Sequence, residues 1–247
     1  MTPHSRYAIG LMSGTSADGI DAALVEIAGG PKTLQVRQKA FVTYSFPPEI
    51  HRELVQMNAE KKVSLEELSR LNFYLGELFA EAAIKVCRKG KIKLSRVSVI
   101  GSHGQTISHS PQLKKMGKIP IRSTLQIAEP SVIAERTGVT TVADFRPRDI
   151  AAGGEGAPLT PYFHYLLFRQ EKRSVAVNNL GGISNLTYIP ARGAVKDVIA
   201  FDTGPANMVI DETHAALYQG ERCDRGGKKA REGLIDLPLV ARMLSHA

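Results

Sequence analysis

The chain has 247 residues, 43% hydrophobic and 23% charged, with 32 basic against 24 acidic residues for a net charge of +8. That composition excludes collagen-like, disordered and coiled-coil chains, and no apolar run reaches the roughly 18 residues of a membrane span. Two cysteines, Cys87 and Cys223, are too few for a disulfide scaffold or a metal cage, and the N-terminus has no long apolar signal core. The expected setting is therefore a reducing cytoplasm, with no membrane partner.

Tyr7-Ala-Ile-Gly-Leu-Met12 has strand character, breaks at residues 13–19 and resumes over residues 20–27, the pattern of a hairpin opening a sheet. Residues 33–44 supply a further extended run. Ser64-Leu-Glu-Glu67 is a capping box. Leu68, Leu71, Leu75, Leu78, Phe79, Ala82 and Val86 then recur at helical spacing, with Gly90 as the predicted stop. Val97–Ile100 predicts a buried strand ending in the polar run 101–106, and Val139–Ala143 repeats the plan before 144–149. Val175–Asn179 and Asn185–Ile189 flank a second glycine-rich turn. Val198–Phe201 leads into Asp202–Asn207 and a helical segment through Tyr218, and residues 237–244 predict a helix beginning at a proline.

Apolar strands that end in polar turns and alternate with helices indicate an α/β fold, whose ligands gather at the strand ends. The strand–turn–strand units at 7–27 and 175–189 predict two related domains across a cleft, 1–145 and 146–247. The second is expected to be incomplete, because its closing strand and helix are not evident. The basic clusters at 88–93 and 114–118 are expected on loops. Neither is interleaved with stacking aromatics or zinc ligands, so no nucleic-acid partner is expected.

The turn Gly14-Thr-Ser-Ala-Asp-Gly19 has the small residues of a tight hairpin, and equally those of an anion nest in which Asp18 could hold a hydrated magnesium ion. It lacks the Gly-Lys-Ser/Thr ending of a Walker loop. Leu180-Gly-Gly-Ile-Ser-Asn185 carries the same pair of readings, and two such turns suggest a nucleoside triphosphate held from both sides. Asp202 suits either a general base at a strand end or a helix cap. His103 and His109 lack a third metal ligand. Arg146 and Arg148 either clamp a carboxylate or pair with Asp144 and Asp149.

Together the motifs Gly10-Leu-Met-Ser-Gly-Thr-Ser-Ala-Asp-Gly-Ile-Asp21, Gly101-Ser-His-Gly-Gln-Thr106, Ala143-Asp-Phe-Arg-Pro-Arg-Asp149, Gly153–Leu159, Asn179–Asn185 and Phe201-Asp-Thr-Gly-Pro-Ala-Asn207 resemble the anhydro-N-acetylmuramic acid kinase family. Glu155 stands where that family commonly has Gln. The resemblance implies two ribonuclease-H-like, actin-like ATPase domains around a cleft, and a chain that normally runs on further. It implies ATP with Mg2+ on Gly14, Thr15, Ser16, Ala17, Asp18, Gly19, Ile20 and Asp21, with Asp18 at the metal, and on Gly181, Gly182, Ser184 and Asn185. Gln105, Thr106 and Arg148 would contact the anhydro amino sugar, and Asp202 would be the catalytic base. The implied role is peptidoglycan recycling in the cytoplasm, and a homodimer is compatible with it. A non-catalytic nucleotide-dependent module of actin or Hsp70 type, or an inactive fragment of the kinase, is the alternative.

Overall fold

The computed structural model describes residues 5–14, 17–30, 33–60, 62–218 and 223–245. The chain divides into two compact units, Met1–Leu167 and Phe168–Ala247, so the division falls beyond the expected 145/146 boundary. The architecture is mixed α/β, as expected.

In the first unit β1 (Arg6–Ser13), β2 (Gly19–Ala28) and β3 (Gln35–Ser45) form an antiparallel meander. After α1 (Pro48–Glu60) and α2 (Leu65–Gly90) the chain enters β4 (Val97–Met116), which lies parallel to β1 and turns back as β5 (Ile119–Ile127). Then come α3 (Pro130–Thr137), β6 (Thr141–Val142), α4 (Phe145–Ala151) and α5 (Thr160–Phe168). The sheet order is β3-β2-β1-β4-β5, with β6 parallel beside β4.

Strand side chains alternate between faces, so Ile9 and Leu11 of β1 and Ile20, Ala22 and Leu24 of β2 enter one core. Helix α2 closes it with Leu71, Leu75, Phe79, Ala82 and Val86. Burying a side chain the size of Phe79 contributes about 2–3 kcal/mol. The capping box at Ser64 is present as expected, with Ser64 Oγ accepting from the Glu67 amide at 3.1 Å. The C-cap is Lys91 in the left-handed conformation rather than Gly90. Gly90 is needed for packing instead, because a Cβ there would sit 2.6 Å from Leu24 Cδ2.

Two expectations are corrected. Residues 101–106 do not form a turn: Gly101 pairs with both Gly10 and Val142, and Gln105 pairs with Ile127, so β4 continues through the motif while its outer neighbour changes from β6 to β5. The basic clusters are not simple loops, because Arg88 and Lys89 complete α2, where cations suit the helix C-terminus. Lys114 and Lys115 belong to the end of β4.

The second unit holds an antiparallel sheet of β7 (Val175–Leu180), β8 (Ile183–Ile189) and β9 (Ile199–Pro205), followed by α6 (Asn207–Leu217), α7 (Lys228–Glu232) and α8 (Leu237–Leu244). The 175–189 hairpin is as expected, whereas β9 extends past Phe201 to Pro205. Among the described residues of this unit, Ile189 alone is a fully buried hydrophobic side chain.

Candidate functional site

The first turn joins β1 to β2. Thr15 and Ser16 lie outside the described residues; the flanks are defined. Gly14 O accepts from the Ala17 amide at 3.1 Å, and Ala17 adopts φ +52°. Gly19 is glycine for the sheet's sake, since a Cβ would strike the backbone oxygen of Tyr44 across the β2–β3 ladder. Asp18 is exposed, and its carbonyl accepts from Phe46 N. The Asp21 carboxylate is held on β3 by the Thr43 hydroxyl at 2.7 Å, and Ile20 is core.

Beneath this turn Gln105 is fully buried and tied to it. Its Oε1 lies 2.5 Å from Ser13 Oγ, which also reaches Gly19 O at 2.8 Å, and its Nε2 donates to Gly14 O and Thr106 O at 3.2 Å each. The β1–β4 register, Ser13 opposite Gln105, fixes this arrangement. Thr106 accepts from Gln126 Nε2 at 3.4 Å.

Next along β4, His103 Nε2 accepts from Arg146 Nε at 2.8 Å, which leaves Nδ1 as the protonated nitrogen, donating to Gly104 O at 3.1 Å. Burial, then the neighbouring Arg146 charge, outweighs that backbone bond and lowers the pKa of His103, so the ring is neutral. Arg146 also donates to Gly156 O at 3.2 Å, while Asp149 Oδ2 accepts from the Gly156 amide at 2.8 Å. Arg146 is therefore part of the scaffold that folds residues 144–156. Arg148 is exposed and borders an open, largely apolar hollow of about 670 Å3 with His103, Phe145 and Tyr162.

A second cavity, about 190 Å3, lies where the parallel pairing of β4 with β6 stops, beside the start of α3. Its lining includes Asn72, Ser102, Gln126, Glu129 and Asp144. Ala128 at φ +111° and Asp144 at φ +59° also border it, and non-glycine residues held in such conformations cluster at functional sites.

In the second unit the Gly181-Gly182 turn is open. Neither glycine has positive φ, and an added Cβ would meet nothing nearer than 3.6 Å. Their carbonyls accept the Ala206, Asn207 and Met208 amides at the head of α6. Ser184 Oγ is engaged by Asn178 and Thr203. Asn185 pairs directly with Asp202, and Thr203 is an extra residue between the pairs Ser184–Gly204 and Asn185–Asp202. Such a bulge re-aims neighbouring side chains. Asp202 is exposed, and among the described residues its carboxylate takes no hydrogen bond or ion pair. It is not a helix cap, because α6 is capped by Ala206 without a side-chain bond.

A family model described as anhydro-N-acetylmuramic acid kinase matches residues 6–247. The chain belongs to this family. Similar proteins with that name occur in Caldanaerobacter subterraneus subsp. tengcongensis, 46% identical over 97% of this chain and 61% of its own length. Another is found in Clostridioides difficile, 42% identical over 97% and 62%. The chain thus spans less than two thirds of the length of the curated relatives it matches. Among solved structures, a reductive activator for corrinoid, iron-sulfur protein aligns at 10% identity and TM-score 0.35 over 83% of this chain and 32% of its own, too distant to carry an argument.

For a member of the anhydro-N-acetylmuramic acid kinase family, the residues expected at the sugar are unequally placed. Gln105 is spent on the first turn, Thr106 faces Gln126, and Arg148 is free to meet a ligand. Sequence reasoning missed Ser13, Asn72 and Gln126. Ser13 stands between the apolar run 7–12 and the glycine turn, which was the available signal for it, but Asn72 is a polar position on an otherwise ordinary helix. The second turn leaves room for a close approach in one respect: neither of its glycines has positive φ, and added Cβ atoms would meet nothing nearer than 3.6 Å. Among the described residues no group of three or more His, Cys, Asp or Glu gathers. Magnesium would need only one or two carboxylates besides phosphate oxygens and water, and the exposed Asp18 is compatible with that. Among the same residues no helix is long and apolar enough to cross a membrane.

Proposed function

We propose that the chain carries the core of an ATP-dependent kinase that opens 1,6-anhydro-N-acetylmuramic acid and phosphorylates O6, giving N-acetylmuramic acid 6-phosphate for peptidoglycan recycling. The register Asn185–Asp202 carries this reading. It sets an exposed carboxylate on a bulged strand directly across from the last residue of the second glycine turn. The β1–β2–β3 meander beside parallel β4 and β6 supports a ribonuclease-H-like first domain, and residues 168–247 are read as part of a second one. The cytoplasm is the proposed compartment.

Asp202 takes a proton from water, whose oxygen attacks the anomeric carbon. The C1–O6 bond breaks, and O6 forms the new bond to the γ-phosphorus, releasing ADP. An ordinary inverting glycosidase protonates its leaving oxygen with a second carboxylic acid; here the phosphoryl group replaces that proton, so one positioned carboxylate suffices. The two turns, Gly14–Asp21 and Gly181–Asn185, would hold the polyphosphate, and Asp18 would hold Mg2+. The metal supplies neutralisation of the charge that spreads over the transferring group. Thr106 and Arg148 orient the sugar, with Gln105 behind them.

Calorimetry with a non-hydrolysable ATP mimic and Mg2+ tests the nucleotide half. Saturable binding that Gly182→Val weakens is expected. Binding indifferent to that change removes the second turn from the site.

A further inference from the structure

We propose that the 190 Å3 cavity behind β4 is a subsite for a neutral acylamino group, built around Ser102 and Gln126. This inference rests on the sugar-kinase reading above and assigns the sugar's N-acetyl end to that pocket.

Ser102 is 1% exposed, and its Oγ has no hydrogen-bond partner among the described residues. Gln126 Oε1 is buried and likewise unpartnered, and both residues line the same cavity. Burying polar atoms without partners is costly, and native structures rarely retain two in one place without something to meet them. The orientation of the Gln126 amide follows from its bonds: Nε2 is used on Thr124 Oγ1 at 2.7 Å and Thr106 Oγ1 at 3.4 Å. That leaves the carbonyl oxygen buried without a partner beside the cavity, so an occupant that reaches it must bring an N–H or O–H donor. Ser102 offers a hydroxyl that can donate to a carbonyl. A secondary amide supplies both groups on adjacent atoms.

Charge narrows the class further. Glu129 and Asp144 line the cavity, and no Lys or Arg does. The start of α3 is already answered by Glu129, whose carboxylate accepts from Ser131 N at 3.2 Å and from Asn72 Nδ2 at 3.0 Å. A carboxylate or phosphate entering here would meet only negative charge, so the lactyl end of the sugar lies elsewhere. The space exceeds a single water's share of about 30 Å3 several-fold.

The test is calorimetry on the 247-residue chain with three ligands: the anhydro-N-acetyl sugar acid, its lactyl-free counterpart, and an analogue with hydroxyl in place of acetamido. Replacing acetamido should weaken binding about tenfold or more, and Ser102→Ala should weaken the two acetamido ligands about tenfold while leaving the hydroxyl analogue unchanged. An equal effect of Ser102→Ala on all three overturns the proposal. Should no anhydro sugar bind at all, the kinase reading fails, and the subsite is then judged on the wild-type chain with N-methylacetamide. Saturable shifts of the Gln126 side-chain NH2 resonances uphold it. Unmoved resonances, or a crystal soaked with N-methylacetamide that shows only water between Ser102 and Gln126, overturn it. The wild-type measurement does not depend on any variant folding.

Discussion

Replacing Gln105 with Leu tests whether the first turn is held from below. The substitution keeps the volume of a fully buried side chain but removes the 2.5 Å contact with Ser13 Oγ and the two 3.2 Å bonds to Gly14 O and Thr106 O. At about 0.5–1.5 kcal/mol net for each, three bonds amount to roughly 1.5–4.5 kcal/mol. The lower half of that range is expected, because Ser13 Oγ keeps Gly19 O and Gly14 O keeps the Ala17 amide. A loss near 2 kcal/mol corresponds to about a thirtyfold rise in local opening. Native-state hydrogen exchange should show that acceleration in amides of residues 17–21, with the interior of α2 unchanged. Gln105→Glu should be worse than Leu, since an ionised carboxylate oxygen would face two backbone carbonyls. Unaltered exchange at residues 17–21 in a folded Gln105→Leu chain would refute the argument.

The depressed pKa of His103 makes stability pH-dependent. A group depressed in the folded state contributes fully above its ordinary value of 6.5, and that contribution is lost as pH falls through the lower folded value. The urea midpoint should therefore drop on acidification below 6.5, with the ring held as the Nδ1–H tautomer by NMR at neutral pH; titration at or above 6.5 would contradict the Arg146 contact. The two glycine turns should respond oppositely to alanine. Gly19→Ala should impair folding by forcing apart β2 and β3, whereas Gly182→Ala should leave the thermal midpoint within about 1 °C, a near-neutral surface change, and weaken nucleotide binding by calorimetry.

Where side chains follow a strict period, the sequence was a sufficient guide. The meander and α2 are legible because Ile9, Leu11, Ile20 and Leu24 alternate while Leu71, Leu75 and Phe79 recur by helical steps. The run 101–106 misleads because glycine and polar residues signal a turn, yet Gly101 is flanked by strands on both sides and the ladder overrides that local preference. The same effect extends β9 through Asp202, whose place opposite Asn185 depends on a bulge that no local pattern announces. Site residues from distant segments were least visible. Gln126 and Ser102 meet one cavity only because β4 and β5 pair, and Arg146 finds His103, not either nearby aspartate, through tertiary placement.

Product analysis with Asp202→Asn addresses the central claim most directly. Given ATP, Mg2+ and 1,6-anhydro-N-acetylmuramic acid, the wild-type chain should form N-acetylmuramic acid 6-phosphate and ADP in equal amounts. The variant should lose about 10²–10⁴-fold in rate, the usual contribution of a general base, while binding ATP as before. No sugar phosphate from the wild type, or undiminished turnover by the variant, would contradict the account.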